Sequence, residues 1–499
     1  MGVERELKLA APPGFVLPDL GAATGLPTEA RPEQRLVATY YDTSDVRLSR
    51  WGVTVRHRGG DEEPMWTVKL PLAAEGPAVT RRELTYSGRP TSPPDTVVRL
   101  LRAFLRGDAL TPITKLVTRR RRVEVRSPEG NVLLEIDDDE VSVLDGRRLA
   151  GRFREIEVEV RDDTVDDALV ETVAGCLRAA GAVDTNGSPK LVQALGGRAL
   201  APPEVPLVHV DASAPVGRVV HAAVAASVAR LLRHDPGVRL GDDPEEVHQA
   251  RVATRRLRSD LRTFRTLVDP TWAGPLRDEL KWIAGELGAV RDADVLLERL
   301  ERQATVLPEQ DGRAAAALLR RLVDEREAAR ASLLEALDSD RYVALVDALV
   351  AAANLPHLTP DADERATQAL PAIVARPWRH LEGQVDGLPK DPADPELHDV
   401  RIRAKRARYA AEAAAPAIGK PARRLASAIA DVQTVLGDLQ DAAVAEEWLR
   451  RAAASSRGAT ALVAGELVAA QRVEMAKARR AWKSAWDDAA RKKLRDWLD

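Results

Sequence analysis

Three charged residues at alternate positions, Glu4, Glu6 and Lys8, open the chain in the run Val-Glu-Arg-Glu-Leu-Lys-Leu. In an extended strand residues i and i+2 share a face, so two carboxylates and an ammonium project together there. The same spacing recurs at Arg56 and Arg58, Arg81 and Glu83, Arg119 and Arg121, Glu135 and Asp137, and Glu155, Glu157 and Glu159, while Lys69 stands alone in Trp-Thr-Val-Lys-Leu-Pro. A solvated outer sheet face also alternates, and that explains any one strand. It explains less well why carboxylates gather on the first and last strands and arginines on the middle ones. Triphosphate needs Arg and Lys in place of its hydration, and Mg2+ or Mn2+ needs oxygen ligands, commonly carboxylates completed by water and phosphate. Both sets inside one closed barrel would suit metal-assisted attack of water on a phosphoryl group.

A second constellation lies further along. His248, Arg251, Arg255, Arg256 and Arg258 recur 150 positions later as His398, Arg401, Lys405, Arg406 and Arg408. A second matched pair follows: Leu287-Gly288 with Asp292, then Leu436-Gly437 with Asp441. Two landmarks in one order indicate a duplicated helical bundle. At 3.6 residues per turn, His248, Arg251, Arg255 and Arg258 share one stripe, which Arg262 extends by a turn; His398, Arg401, Lys405 and Arg408 do the same. Like charges three and four apart repel, so such a stripe calls for an anion, and arginine's planar fork suits phosphate oxygens. A solvated basic face is the bland alternative, weakened by the recurrence of the leading histidine. Neither histidine has partners for a metal site or a nucleophilic triad, which leaves phosphate donation. Asp292 and Asp441 either orient the basic side chains or serve as salt-bridge or capping residues.

The elements that must position these residues follow two grammars. Up to about residue 200 the chain reads as short alternating runs with turn signals at Gly59-Gly60, Pro128-Glu129-Gly130 and Asp145-Gly146, a sheet-rich barrel or sandwich interrupted by a helix over roughly 162–180. That helix is expected to cover part of the barrel's outer surface. The stretch Ala201-Pro202-Pro203-Glu204-Val205-Pro206 reads as a linker. Beyond it the periodicity is helical, with breaks expected at Asp235-Pro236-Gly237, Asp269-Pro270, Leu355-Pro356 and 387–395.

The 499 residues exceed what one core usually spans, so two domains are expected. A net charge of −3 neither supports nor excludes an anionic ligand, because it hides local clusters. The single Cys176 rules out an internal disulfide framework and cysteine-based zinc sites. Charges in the first residues leave no signal-peptide core, and no run reaches a membrane span, so a cytoplasmic location is expected with no membrane partner. With 4% aromatic residues there are few stacking platforms, which disfavours nucleic acid as a partner.

Taken with their order along the chain, Glu-x-Glu-x-Lys, Val-Arg-His-Arg, Thr-Val-Lys-Leu, Arg-Arg-Glu-Leu, Glu-Ile-Asp and Glu-Ile-Glu-Val-Glu make residues 1–198 resemble a CYTH domain, a triphosphate tunnel metalloenzyme. The paired His-x-x-Arg helices and Leu-Gly-x-x-x-Asp turns make residues 211–499 resemble a CHAD domain, with 199–210 as linker. The resemblance implies an α+β chain: an eight-stranded antiparallel β tunnel with flanking helices, then an all-α duplicated helical bundle. It implies metal carboxylates at Glu4, Glu6, Asp137, Glu157 and Glu159, with Mg2+ or Mn2+ as cofactor. Phosphate ligands would be Lys8, Arg56, Arg58, Lys69, Arg81, Lys115, Arg119, Arg121 and Lys190, Lys8 also positioning the reactive water. Lys190 follows Ser188-Pro189, where the family usually has Ser-Lys adjacent, and the Arg119–Arg122 run leaves its register open by one or two residues. In the helical half, His248, Arg251, Arg255, Arg256, Arg258, Arg262, His398, Arg401, Lys405, Arg406 and Arg408 would bind polyphosphate. The expected activity is hydrolysis of inorganic triphosphate or short polyphosphate. The rivals are a non-enzymatic polyphosphate adaptor, thiamine triphosphate hydrolysis and ATP cyclisation.

Overall fold

The computed structural model describes residues 5–61, 63–71, 81–162, 164–185 and 190–499. The chain divides into two compact units, Met1–Glu204 and Val205–Asp499.

The first unit is built on one antiparallel sheet: β1 (Glu6–Ala10), β2 (Thr28–Ala30), β3 (Gln34–Asp42), β4 (Thr54–Gly60), β5 (Met65–Pro71), β6 (Arg81–Tyr86), β7 (Thr111–Arg126), β8 (Val132–Asp145), β9 (Arg148–Val160) and β10 (Val183–Asp184). The order is β10-β1-β9-β8-β7-β3-β4-β5-β6, with β2 paired to β7. The expected eight strands become ten because two short ones, β2 of three residues and β10 of two, add to the margins. Short helices α1 (Leu20–Thr24), α2 (Arg47–Arg50), α3 (Asp95–Leu100), α4 (Arg102–Leu105), α5 (Asp167–Ala179) and α6 (Lys190–Leu195) complete the unit.

Alternation sorts the side chains. Leu9, Val125, Leu134, Ile136, Ile156 and Val158 form an outer apolar face, which Val173 and Leu177 of α5 and Leu20 of α1 cover. Burying each large aliphatic side chain there contributes about 1.5–3 kcal/mol. Helix α5 starts where Asp166 accepts the Leu169 N–H at 2.9 Å. The intervening charged residues of β1, β8 and β9 are thereby forced onto the concave face. On that face Leu191 of α6 packs with Tyr40, Leu116, Val141 and Val143, which sets Lys190 at the head of α6 beside the charged rows. Gly60 ends β4 with φ +109°, and a Cβ there would lie 2.3 Å from the Arg35 carbonyl oxygen.

The second unit is helical: α7 (Val216–Leu240), α8 (Pro244–Thr263), α9 (Pro270–Ala304), α10 (Gly312–Asp338), α11 (Asp340–Asn354), α12 (Ala366–Asp386), α13 (Asp394–Ile418), α14 (Lys420–Ala454) and α15 (Ala459–Ala489). Neighbours in sequence pack as hairpins, and α8 also meets α13. Leu296, Leu318, Leu322, Leu449, Val463 and Leu467 join α9, α10, α14 and α15 in one core. The break expected at Asp235-Pro236-Gly237 does not occur: α7 runs through Pro236. An internal proline costs a helix about 3 kcal/mol. Here it sits beside a buried network in which Asp235 accepts from Arg239 and from the Tyr342 hydroxyl, each at 2.7 Å, and that network holds the turn. Among the described residues no helix is long and apolar enough to cross a membrane.

Candidate functional site

The register of the first unit lays its charges out in rows. Glu6 faces Glu159, which faces Glu135; Lys8 faces Glu157, then Asp137, then Arg122; Glu155 faces Asp139, then Arg120. Across the concave face, Tyr40 is opposite Arg56, Thr54 opposite Lys69, and Lys69 opposite Glu83. The sheet curls so that β1 and β6 line the same cavity of about 340 Å3, bordered by Glu6, Lys8, Tyr40, Thr54, Arg56, Arg58, Lys69, Arg81, Glu83, Arg120, Arg122, Asp137, Glu157, Glu159, Arg161 and Lys190.

Its inner wall is a lattice of ion pairs. The Lys190 ammonium lies 2.8, 2.7 and 2.9 Å from Asp139, Glu155 and Glu157, whose carboxylate oxygens converge within 4.8 Å of one another. Lys8 donates to Glu157 at 2.5 Å and lies 3.3 Å from Glu6. Arg120 reaches Asp139 at 2.7 Å and Asp137 at 2.5 Å, and Arg122 holds Asp137 at 2.7 Å. Burial alone would neutralise these groups. At Glu157 the opposing charges of Lys190, Lys8 and Arg120 outweigh burial and hold the carboxyl well below its usual range. The same balance raises Lys190 well above an ordinary lysine, burial being outweighed by Glu157, Asp139 and Glu155. At Glu155 and Asp137 burial wins and the carboxyls titrate higher than usual. On the opposite wall Lys69 lies 2.6 Å from Glu83, and the Arg56 Nε is buried without a hydrogen-bond partner.

A second cavity, of about 500 Å3, lies in the helical unit. His248, Arg251 and Arg255 of α8 meet His398, Arg401, Lys405 and Arg408 of α13 there, with Arg291 and Arg299 of α9 and Asp441 of α14. Asp243 caps α8 by accepting the Glu245 N–H, and the Glu396 side chain accepts the Ala393 N–H at the head of α13. The two Leu-Gly-x-x-x-Asp segments act on their arginines. Arg251 lies against Gly288 and donates to Asp292 at 3.0 Å; Arg401 lies against Gly437, 4.0 Å from Asp441. His398 Nδ1 is 2.6 Å from Gln440 Oε1, which orients the ring. The cations are nonetheless in excess. Burial, then Arg401, Arg255 and Arg251, push Lys405 down to about 7. Burial also lowers Arg255, Arg401 and His248, with neighbouring arginines adding to the effect. The Nε atoms of Arg255 and Arg401 are buried without hydrogen-bond partners, while that of Arg408 lies 3.2 Å from Glu412.

Residues 3–185 match the CYTH domain family and residues 222–450 the CHAD domain family. An uncharacterized protein of Mycobacterium tuberculosis (strain CDC 1551 / Oshkosh) is 31% identical over 453 residues, 86% of this chain and 84% of that protein. The chain belongs to the CYTH–CHAD proteins. Among solved structures, PptA from Streptomyces chartreusis is 27% identical and covers 55% of this chain and 100% of its own, with TM-score 0.47. The CHAD domain from the plant Ricinus communis is 28% identical, covers 57% of this chain and 96% of its own, and has TM-score 0.46.

In the CYTH domain, Glu6, Lys8, Arg56, Arg58, Lys69, Arg81, Asp137, Glu157, Glu159 and Lys190 meet at the cavity, and Glu4 lies outside the described residues. Lys115, Arg119 and Arg121 do not meet it. The Arg119 side chain is 56% exposed and pairs with Glu33, whereas that of Arg120 is 10% exposed. The even-numbered residues of β7 face inward, so Arg120 and Arg122 take the places expected of Arg119 and Arg121, and Lys115 points outward with the odd set. Asp139 and Arg161 are not among the residues expected there, and Glu155 is signalled only by its spacing with Glu157 and Glu159; the parity of the acidic strands is the one cue to them. In the CHAD domain, Arg256 pairs with Glu412, Arg258 lies near Arg277 and Asp278, and Arg262 and Arg406 line a different cavity. Arg291 and Arg299 sit on α9, away from the repeated His-x-x-Arg pattern, and that pattern does not signal them.

Proposed function

We propose that the CYTH cavity hydrolyses inorganic triphosphate or short polyphosphate with Mg2+ or Mn2+, and that the His248–His398 cavity binds polyphosphate. The observation that carries the first reading is the division of one cavity into a carboxylate wall on β1, β8 and β9 and a basic wall on β4, β5 and β6.

The donor chemistry fits a hard divalent cation, which prefers oxygen ligands. Glu6 and Glu159 stand directly opposite each other, with Lys8 3.3 Å from Glu6 and Arg161 2.8 Å from Glu159, and Glu157 lines the same cavity. Those three would hold the metal in exchange for the ion pairs that Lys190 and Lys8 make with Glu157 and Arg161 makes with Glu159; Asp139 and Glu155 lie deeper, against Lys190, and Asp137 against Arg120 and Arg122. When bound, the ion supplies Lewis-acid activation of the phosphoryl group and of water. Arg56, Arg58, Lys69 and Arg81 hold the phosphate chain and balance the charge that develops on the leaving diphosphate oxygen. Lys8, fixed by Glu157 and Glu6, donates a hydrogen bond at the terminal phosphoryl group, where an incoming water oxygen forms the new P–O bond as the bridging bond breaks. In the CHAD cavity, guanidiniums with unpartnered Nε atoms take phosphate oxygens and two histidines add donors.

The test is orthophosphate release from tripolyphosphate with each metal, for the wild type and for Glu6→Gln and Arg56→Gln. Loss of one preorganised donor is expected to lower kcat by about 100-fold or more. Release from neither metal with tripolyphosphate binding intact would leave only the adaptor reading.

A further inference from the structure

The helical repeat maps each residue of α8 onto one of α13 at an offset of 150, so Arg256 corresponds to Arg406, Ser259 to Tyr409 and Arg262 to Glu412. On one side of the pseudo-twofold, Arg256 is bound by Glu412, which also holds Arg408 at 3.2 Å. The Tyr409 ring fills the space between those arginines, with Arg256 and Arg408 lying 5.4 and 5.1 Å from its centroid. On the other side the same positions carry the opposite charge and a smaller side chain. Arg406 meets Arg262 instead of a glutamate, and Ser259 stands where the ring would be. What remains is a cavity of about 490 Å3 lined by α8, α12 and α13. Arg262, Arg265, Arg376, Arg379, Arg403 and Arg406 line it together with His380, and no carboxylate is among its lining residues.

We propose that this cavity is a second phosphoryl-anion site of the helical unit, separate from the His248–His398 cavity and built by the charge asymmetry of the duplication. Three observations support it. The Ser259 Oγ is buried with no hydrogen-bond partner, and it borders the cavity. Burial and the charges of Arg262 and Arg403 outweigh that of Asp399 and pull the Arg406 guanidinium below its ordinary value. Arg403 is the one lining arginine with a side-chain hydrogen bond recorded among the described residues, and its partner is the neutral Gln384 at 3.1 Å. Six arginines lining one space favour an oxyanion with several charges and several acceptor oxygens, which phosphoryl groups supply. Arg403 and Arg406 lie on the side of α13 opposite Arg401, Lys405 and Arg408, by helical periodicity, so an anion here does not compete for the histidine cavity's ligands. The shared chemistry has two sources: a free short oligophosphate, or a further stretch of a polyphosphate already held by the histidine cavity.

The test uses the full chain with the other two cavities disabled by Arg56→Gln, Lys69→Gln, Arg251→Gln and Lys405→Gln. Isothermal titration with tripolyphosphate and with long-chain polyphosphate is expected to retain one site. Arg262→Glu, added to that background, recreates the ion pair of the other half and is expected to weaken the residual binding at least tenfold while raising the melting temperature. Arg262→Gln with Arg379→Gln provides a second route to the same loss. In the otherwise unsubstituted chain, an Arg262→Glu effect on both ligands identifies a free oligophosphate, and an effect on the long chain alone identifies a shared polymer. No residual site in the four-fold variant, or a residual site indifferent to Arg262→Glu, overturns the proposal. So does an Arg262-dependent preference for duplex DNA over both phosphates at equal salt. The inference does not rest on hydrolysis in the CYTH cavity, which this titration does not measure.

Discussion

Polyphosphate binding in the histidine cavity should be coupled to proton uptake at Lys405. Its ammonium faces His248, Arg251 and Arg255 on α8, Arg291, Asp292 and Arg299 on α9, His398, Arg401 and Arg408 on its own helix, and Asp441 on α14. Burial and the arginines bring it down to about 7. A bound anion restores the charged form, so binding above that pH must take up a proton. Each pH unit then weakens binding tenfold, about 1.4 kcal/mol, until the pKa of the complex is reached. Between pH 7 and pH 9 the loss is about 50-fold for a complex in which Lys405 returns to an ordinary lysine value. His248 is held below its usual value and so is neutral across this window. Long-chain polyphosphate is the suitable ligand, because its interior phosphates are already ionised. The assay is titration calorimetry in two buffers of different ionisation enthalpy, in the Arg56→Gln/Lys69→Gln background, so that proton uptake is read directly. Lys405→Arg keeps its charge and should flatten the profile. The sign for folding runs the other way. A lysine lowered in the folded state binds fewer protons there than in the unfolded chain, so the ligand-free protein gains stability as pH rises from about 7 toward the ordinary lysine value. Polyphosphate should abolish that gain. A flat affinity profile in the wild type, or an equal slope in Lys405→Arg, would refute the reasoning.

Three further outcomes follow from packing and pairing. Tyr342→Phe removes the hydroxyl that donates to the buried Asp235 and should cost about 1–3 kcal/mol in urea unfolding. Gly60→Ala places a Cβ against the Arg35 carbonyl at a positive φ, and it should destabilise the CYTH transition in calorimetry by at least about 1–3 kcal/mol without changing CHAD binding. Arg120→Gln strips Asp139 and Asp137 of a shared partner in a buried row and should lower the stability of the same transition by about 3–5 kcal/mol.

Where one charged residue alternates with one apolar residue, the facing of a strand was readable in advance. Glu6 and Lys8 with Leu7 and Leu9, and Glu157 and Glu159 with Ile156 and Val158, lie on the faces the alternation assigns. The runs Arg119–Arg122 and Asp137–Asp139 have no alternation to read, because every position carries charge. Their parity is decided by neighbours that the local sequence does not contain: the register of β7 on β8, and the packing of α6 against Leu116. Helical periodicity placed His248, Arg251, Arg255 and Arg262 on one stripe of α8, and it could not foresee that α13 crosses there and divides the stripe between two cavities. Pro236 looked like a helix end because a proline's local cost is visible in sequence, whereas the Asp235–Arg239–Tyr342 network that offsets it spans distant residues.

On the proposed reading, the two domains prepare for phosphate in opposite ways. In the CYTH cavity Lys8, Lys190, Arg120 and Arg122 are already paired with carboxylates, so the inner wall is rigid before any ligand arrives, and a phosphate chain must be received by the basic wall opposite. Preorganised charge of this kind favours a transition state over tight ground-state binding. In the CHAD cavity the cations outnumber their acids and depress one another, so the ligand supplies the missing counter-charge and relieves a repulsion present in the free protein. Binding there should therefore stabilise the fold and fade steeply with salt, because partly exposed charges are screened within about 8–10 Å at ordinary ionic strength. The paired inner wall of the CYTH cavity, mostly buried, should be much less sensitive. Raising salt from low to moderate should strip polyphosphate from the CHAD domain before it slows triphosphate turnover, and an equal dependence of the two would contradict this division of charge.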